Sequence, residues 1–573
     1  MTEVHFRRIR ALSLMVILGG TLFIARLAVL QISRGDAFEE VAALQYVAPA
    51  SDSFSRGTIF FQNKDSGLPR TQAATIKSGF TLAINPLKIG NSQMLWDTLS
   101  PLLPPLEEGE FFLKAKGKDD SYEEIVRRLP RATKEAVEAL HLPGVHFTEE
   151  HWRYYPSGLL AAHTLGFVGF DEDVRSGQYG VERYYDETLS RGSEGFRVNV
   201  FAEIFTTIGS ALFYDSASSR EGDIVLTIDR EADRFLGNEL DEALKKWGAQ
   251  SGGGIIIHPR TGEIYAMEAR PTFDPNTFGE RNDYTIFKNP LVEDVFEMGS
   301  IMKPLTIAFG LDAGVITPRS TYYDTGVVKV GDADIANYDG KARGTTPIQE
   351  ILNQSLNVGA VHVMQKIGTD TFARYMSDFG FGEETGIDLP NEVRGLVGNL
   401  NTKREVEFAT ASFGQGFAVT PISIVRALSA IANGGILVTP RVVDTIEYTL
   451  GSSKQVGYGD EKRVLKKETA EEVTRMLVET VDTALLGGTV KLPHWSIAAK
   501  TGTAQVVDTE GKYYEDKFLH SFFGYFPAFD PQFLVFLYIV DPHGATFASE
   551  TLTGPFMDIA KFLLSYYTVP PDR

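Results

Sequence analysis

The sequence predicts an α+β protein of more than one domain, held to a membrane by a single N-terminal helix. Three observations carry this reading: a length of 573 residues, one long apolar run near the start, and strand signals at both ends of a helix-rich C-terminal half. Such a length exceeds one ordinary hydrophobic core, so two or more folded domains are expected. A hydrophobic fraction of 43% with 11% aromatics describes folded rather than disordered chain. A formal charge of −20 argues against a nucleic-acid partner, which would need a basic face. The chain has no cysteine, which removes disulfides, thiol catalysis and cysteine-based zinc sites together.

Residues 1–10 carry Arg7, Arg8 and Arg10, and an apolar run follows from Ala11 to Ile32. About 20 apolar residues span a bilayer as a helix. Basic residues before the run and Asp36, Glu39 and Glu40 after it predict a cytoplasmic N-terminus, with the rest of the chain outside. A cleaved signal peptide is the alternative, but no small-x-small site closes the run. Arg26 stands out within it, either snorkelling to the outer interface or meeting a partner membrane protein.

Residues 33–222 read as a mixed α/β module. It opens on the strand-like stretch Arg56-Gly57-Thr58-Ile59-Phe60-Phe61, and the spacing over Ser121–Leu140 predicts a helix. Arg153-Tyr154-Tyr155-Pro156-Ser157-Gly158, the apolar His163–Phe170 run and Tyr179–Tyr185 follow. His141, His146, His151 and His163 have the wrong spacing for three metal ligands on one helix face, so no metal site is expected. Asp215–Gly222 is polar and rich in small residues, as a linker is.

Residues 223–573 read as a second domain. Asp223–Asp229 is a strand and Arg230–Lys246 a helix with Phe235, Leu236, Leu240 and Leu244 inward. Two apolar runs flank Pro259-Arg260-Thr261-Gly262, a hairpin signature. Beyond Lys303 the chain is mainly helical to Val443, and strand signals return at Ser496–Val507, His520–Phe526 and Phe533–Val540 before a closing helix over Phe556–Tyr567. An antiparallel sheet packed against a helical half accounts for this order.

Chemistry concentrates at Gly299-Ser300-Ile301-Met302-Lys303. If a helix starts near Ser300, its hydroxyl and the Lys303 amine share a face. Serine becomes a nucleophile when a neighbouring base takes its proton, and lysine is such a base only with a depressed pKa. Standing alone, the pair reads more readily as a helix cap with a surface lysine. Ser355-Leu356-Asn357 alone reads as a self-capping polar turn. Lys500-Thr501-Gly502-Thr503 lies on a strand, so Lys500 and Gly502 point to one face, Thr501 and Thr503 to the other. Gly502, without a side chain, would let a ligand lie close. Lys77-Ser78-Gly79 precedes the serine motif and is read as a loop.

Ser-x-x-Lys, Ser-x-Asn and Lys-Thr-Gly, in that order, resemble the active-site set of penicillin-binding proteins and serine β-lactamases. The anchor, Arg56-Gly57, Arg153–Gly158, Gly180–Asp186 and the C-terminal half resemble the class B, monofunctional proteins. Arg26-Leu27 and Leu30-Gln31 are similar to the division type. The resemblance implies a pedestal, or dimerisation, domain and then a transpeptidase domain, in which a five-stranded antiparallel sheet flanked by helices meets an all-helical subdomain. It implies a peptidoglycan D,D-transpeptidase that binds β-lactams covalently and needs no cofactor. Its partners would be a D-Ala-D-Ala stem peptide, an acceptor amine and a membrane glycan polymerase. By the same resemblance Ser300 is the nucleophile, Lys303 its base, Ser355 a proton relay, and Asn357 a positioning group. Lys500, Thr501 and Thr503 would take the substrate carboxylate, and the N–H groups of Ser300 and Thr503 would form the oxyanion hole. Bringing Lys303 from about 10.4 to about 7 requires roughly 4–5 kcal/mol of environmental bias. The alternatives are a D,D-carboxypeptidase or β-lactamase, and a non-catalytic penicillin-binding sensor or scaffold. Met298 stands where the family commonly has proline, and Leu356 where many β-lactamases have aspartate. Neither position supplies chemistry.

Overall fold

The computed structural model describes residues 54–191 and 220–573, apart from 65, 66, 68, 118–120, 172, 173, 403, 450, 458, 460 and 508–511, together with Leu18, Gly20 and Thr21. The apolar run 11–32, with Arg26, and the start of the linker therefore lie outside the described residues, apart from those three. Among the described residues no helix is long and apolar enough to cross a membrane. The chain divides into two compact units, and residues 56–76 and 153–191 belong with the C-terminal half.

The larger unit begins with β1 (Ile59–Gln62), and β2 (Gln72–Ile84) continues from it into the smaller unit. In the smaller unit, residues 77–152, α1 (Ser92–Leu99) and α2 (Glu108–Ala115) precede β3 (Glu123–Leu129), α3 (Arg131–Glu138) and β4 (Val145–Tyr154). Leu82, Ile84, Leu95, Leu99, Phe111, Leu129 and Val137 form its core. The helix expected over Ser121–Leu140 is half strand, because Pro130 breaks the run. Ahead of it, β3 pairs with β2, Phe80 opposite Leu129 and Leu82 opposite Val126. Lys77-Ser78-Gly79 lies inside β2 rather than in a loop. Gly79 is needed there because a Cβ would fall 2.8 Å from the Trp152 ring.

In the larger unit, β5 (Gly222–Asp229) pairs in parallel with β1, and α4 (Arg230–Trp247) follows, capped by Asp229 on the Glu231 and Ala232 amides. β6 (Ser251–Ile257) and β7 (Ile264–Arg270) form the expected hairpin. A 3₁₀ turn, Gly299–Met302, leads into α5 (Lys303–Asp312). α5 is buried nearly all round, as expected of a helix apolar on every face. The stretch beyond it is not all helical. β8 (Thr321–Asp324) pairs with a later strand, while β9 (Val327–Val330) and β10 (Ala333–Ala336) form a ribbon before β11 (Gly344–Pro347) closes on β8. Tyr322, Val330 and Ile335 anchor these strands in the core, and Gly326 and Gly331 supply the positive φ of their turns. α6 (Asn357–Ile367), α7 (Pro421–Ala432) and α8 (Lys467–Glu479) are among the helices of the helical side.

Then come β12 (Ala498–Val507), β13 (Tyr513–Phe526), β14 (Phe533–Val540) and α9 (Thr553–Tyr566). The five-stranded antiparallel sheet runs β12-β13-β14-β6-β7, with β12 at an edge. Leu236, Leu240, Val535, Leu537, Phe556 and Leu563 pack one face. Leu305, Ile422, Phe523, Leu534 and Phe536 pack the other. Both faces are covered, which explains why Phe533–Val540 is apolar without alternation.

Candidate active site

Gly299 stands at φ +65°, and its N–H donates to the Gly414 carbonyl at 3.0 Å. A Cβ on Gly299 would meet the Thr503 carbonyl at 2.7 Å, and one on Gly414 would strike the Gly299 backbone. Two glycines thus let the serine turn lie flat between β12 and the 414 loop. In the 3₁₀ turn positions i and i+3 eclipse, so Ser300 and Lys303 face each other across 2.9 Å.

Lys303 is fully buried, and its Nζ lies 2.6 Å from the Ser355 carbonyl oxygen, 2.8 Å from Asn357 Oδ1 and 3.1 Å from Ser355 Oγ. The Asn357 amide is oriented by its Nδ2, which donates to the Ala336 carbonyl at 2.9 Å. The Ser355 carbonyl and Asn357 Oδ1 can only accept. They take both N–H bonds of a neutral amine and leave its lone pair for the Ser300 hydroxyl proton. Burial holds Lys303 well below the usual lysine range, and the neighbouring Lys500 charge pushes the same way. Burial lowers Lys500 to about 7. Its Nζ donates to Ser355 Oγ at 3.1 Å and to the Thr501 carbonyl at 3.0 Å, so the Ser355 hydroxyl bridges the two amines.

Ser355 sits at φ +58°, which turns its carbonyl towards Lys303, and Leu356 points into the core, fully buried. Along β12, Lys500 and Gly502 are buried while Thr501 and Thr503 are partly open, as period two requires. Gly502 has a different reason from the one expected. A Cβ there would strike Ser521 Oγ and fall 2.6 Å from the Met298 carbonyl, so the missing side chain makes room for protein, not ligand. Thr503 Oγ1 accepts from the Ala548 N–H at 3.2 Å.

The structure therefore brings Ser300, Lys303, Ser355, Asn357 and Lys500 into one hydrogen-bonded group, with Thr503 against the serine turn. Sequence reading missed Ala336 and Gly414, whose carbonyls fix Asn357 and Gly299. Of the two, only Gly414 carries a signal in the sequence, as the first glycine of Gly414-Gln415-Gly416. Among the described residues no cluster of three or more His, Asp or Glu could hold a metal ion. His163 is instead a core residue, hydrogen-bonded to the Ile286 carbonyl at 3.0 Å and lowered to about 4 by burial.

A serine facing a buried amine whose other partners are acceptors defines a serine acyl-transfer enzyme. The chain belongs to the penicillin-binding proteins: the penicillin-binding protein transpeptidase domain matches residues 252–560 and the penicillin-binding protein dimerisation domain residues 55–203. It is similar to stage V sporulation protein D of Bacillus subtilis, 32% identical over 89% of this chain and 79% of that protein. It is similar also to the peptidoglycan D,D-transpeptidase FtsI of Escherichia coli, 27% identical over 97% of this chain and 91% of that one. Penicillin-binding protein 3 of Mycobacterium tuberculosis, solved without ligand, superposes with a TM-score of 0.65 at 26% identity, covering 74% of this chain and 92% of that one.

Proposed function

We propose that Ser300 is the residue acylated in a peptidoglycan D,D-transpeptidase, with Lys303 as its base. The observation that carries this is the Lys303 environment, where two acceptor-only oxygens and two serine hydroxyls surround a fully buried amine. Ser300 Oγ attacks the carbonyl between the two terminal D-alanines, its proton passing to Lys303. The C–N bond breaks, and the proton reaches the leaving amine through the Ser355 hydroxyl. An acceptor amine then attacks the ester, Oγ takes back a proton, and the cross-link is made. The N–H groups of Ser300 and Thr503 form the oxyanion hole, which is worth about 3–4 kcal/mol per donor in such sites. Lys500, Thr501 and Thr503 hold the substrate carboxylate beside the edge strand, with the Gly502 backbone between them.

The same reading makes residues 11–32 a membrane span with the catalytic domain outside, and residues 33–222 a pedestal offering partner surface, including to a membrane glycan polymerase. Support comes from Arg7, Arg8 and Arg10 ahead of the apolar run. A role in division rests on Arg26-Leu27 and Leu30-Gln31.

Labelling by a fluorescent penicillin, wild type against Ser300→Ala, tests the nucleophile. Label on the wild type alone supports the reading, and equal label on both overturns it. Transfer of the acyl group to an added D-amino acid, rather than to water, separates transpeptidase from carboxypeptidase.

A further inference from the structure

We propose that Asp324 and Asn337 are a positioning pair that aims Asn357 at Lys303; the inference rests on the assignment of Ser300 as the acylated residue. Neither residue touches the reacting groups. Asp324 is fully buried at the end of β8, and Asn337 is 3% exposed just past β10.

The Asn337 amide is read from both ends. Its Nδ2 donates to both Asp324 carboxyl oxygens, at 2.9 and 3.0 Å, with a longer contact of 3.4 Å to the Lys341 carbonyl. Its Oδ1 accepts the Val358 N–H at 3.1 Å. The carboxyl also accepts from the Gly326 N–H at 2.7 Å and the Tyr322 hydroxyl at 3.2 Å, so it is itself fixed. The Asn337 N–H donates to the Gly326 carbonyl at 2.9 Å.

Val358 lies in the first turn of α6, one residue beyond Asn357. The residue before α6 is Leu356, which offers no side-chain cap. Asn337 supplies that cap from another part of the chain. The adjoining Ala336 carbonyl accepts from Asn357 Nδ2 at 2.9 Å. Two neighbouring residues, Ala336 and Asn337, therefore grip two neighbouring residues, Asn357 and Val358. One grip sets the amide plane of Asn357, the other the start of its helix. Asp324 dictates which end of the Asn337 amide faces α6; with the amide reversed, an NH₂ would confront the Val358 N–H and the cap would be lost.

The polarity of the pair can be exchanged. In the double variant Asp324→Asn/Asn337→Asp, the amide at 324 donates to the carboxyl at 337, which still accepts from Val358. Second-order rate constants and end-point amplitudes for acylation by a fluorescent penicillin test this in the full-length protein. Asp324→Asn should slow acylation about tenfold or more at full end-point labelling, as displacement of a catalytic group by a fraction of an ångström does. The double variant should return to within about threefold of wild type. Asp324→Asn at the wild-type rate, or a double variant no faster than Asp324→Asn, overturns the inference. So does a variant whose labelled fraction and melting temperature fall while its folded part reacts normally, since that is a purely structural role. If Asp324→Asn does not fold, Asn337→Ser gives the same comparison, with slow acylation supporting the pair and the wild-type rate overturning it. A wild type that takes no label removes the acyl-enzyme reading itself, whereas a labelled wild type matched by Asp324→Asn removes only the positioning pair.

Discussion

The Ser355 carbonyl oxygen lies 2.6 Å from Lys303 Nζ because Ser355 is held at φ +58°, a conformation that costs an L-residue about 1–2 kcal/mol. Strain at this residue thus supplies one of the two acceptors that orient the amine. Ser355→Gly adopts the same backbone freely and keeps that acceptor, while losing the hydroxyl between the two lysines. Its acylation rate should fall about 100-fold, the lower end of general acid–base contributions. Its melting temperature should match or exceed that of Ser355→Ala. Stopped-flow acylation with calorimetry checks both, and an unchanged rate would refute the relay.

Acylation should follow a bell-shaped pH profile in its second-order rate constant, which reports the free enzyme. Lys303 must be neutral, so the rate rises with pH through its burial-lowered value. Lys500 must be charged to meet a carboxylate, so the rate falls as pH rises through about 7. Lys500→Arg stays charged throughout and should lose the alkaline limb while keeping the acid one. A limb that persists belongs to another group.

Gly502→Ala should cost about 1–3 kcal/mol of stability, the usual range for overpacking, because its Cβ would meet Ser521 and the Met298 carbonyl. Those atoms back the serine turn, so acylation should slow in the same variant. Urea unfolding and penicillin labelling measure the two effects. A variant as stable as wild type would mean that the strand yields.

Glu182 lies between Arg56 and Arg153, each at 2.6 Å, with all three side chains buried. Glu182→Gln takes the shared carboxylate from between two buried guanidinium groups, leaving Arg56 with Asp186 at 2.8 Å, and should destabilise by about 3–5 kcal/mol. Burial alone would raise the Glu182 carboxyl, but the guanidiniums of Arg153 and Arg56 outweigh it and hold it below 4.5. Its stabilising contribution is therefore complete above 4.5 and is lost as pH falls through the lower folded value. Thermal unfolding between pH 3 and 7 should show wild type and Glu182→Gln converging at the acid end.

Local pattern determined much of this protein. The apolar runs in β6 and β14 announced strands, and the Ser300, Ser355 and Lys500 motifs, through the family they resemble, pointed to the chemistry, because each needs particular residue types at short spacing. Where local propensity misled, tertiary pairing had overridden it. Ile125 and Val126 read at helical spacing yet form β3, since β2 offers an edge and Pro130 ends the run. The region after α5 read as helical, although short ribbons cross it between Tyr322 and Thr346.

By itself the sequence determined which groups are candidates for the site: two hydroxyls, two amines and an amide, in a fixed order along the chain. Only the tertiary structure decided how they meet. Whether Lys303 is a base depends on burial and on the oxygens turned towards it, and those come from residues 52 and 54 positions away. Asp324 and Asn337 belong to no motif in the sequence. They become part of the active-site scaffold because the fold buries them beside the first turn of α6, where an amide donor and a carboxyl acceptor have no water to replace one another.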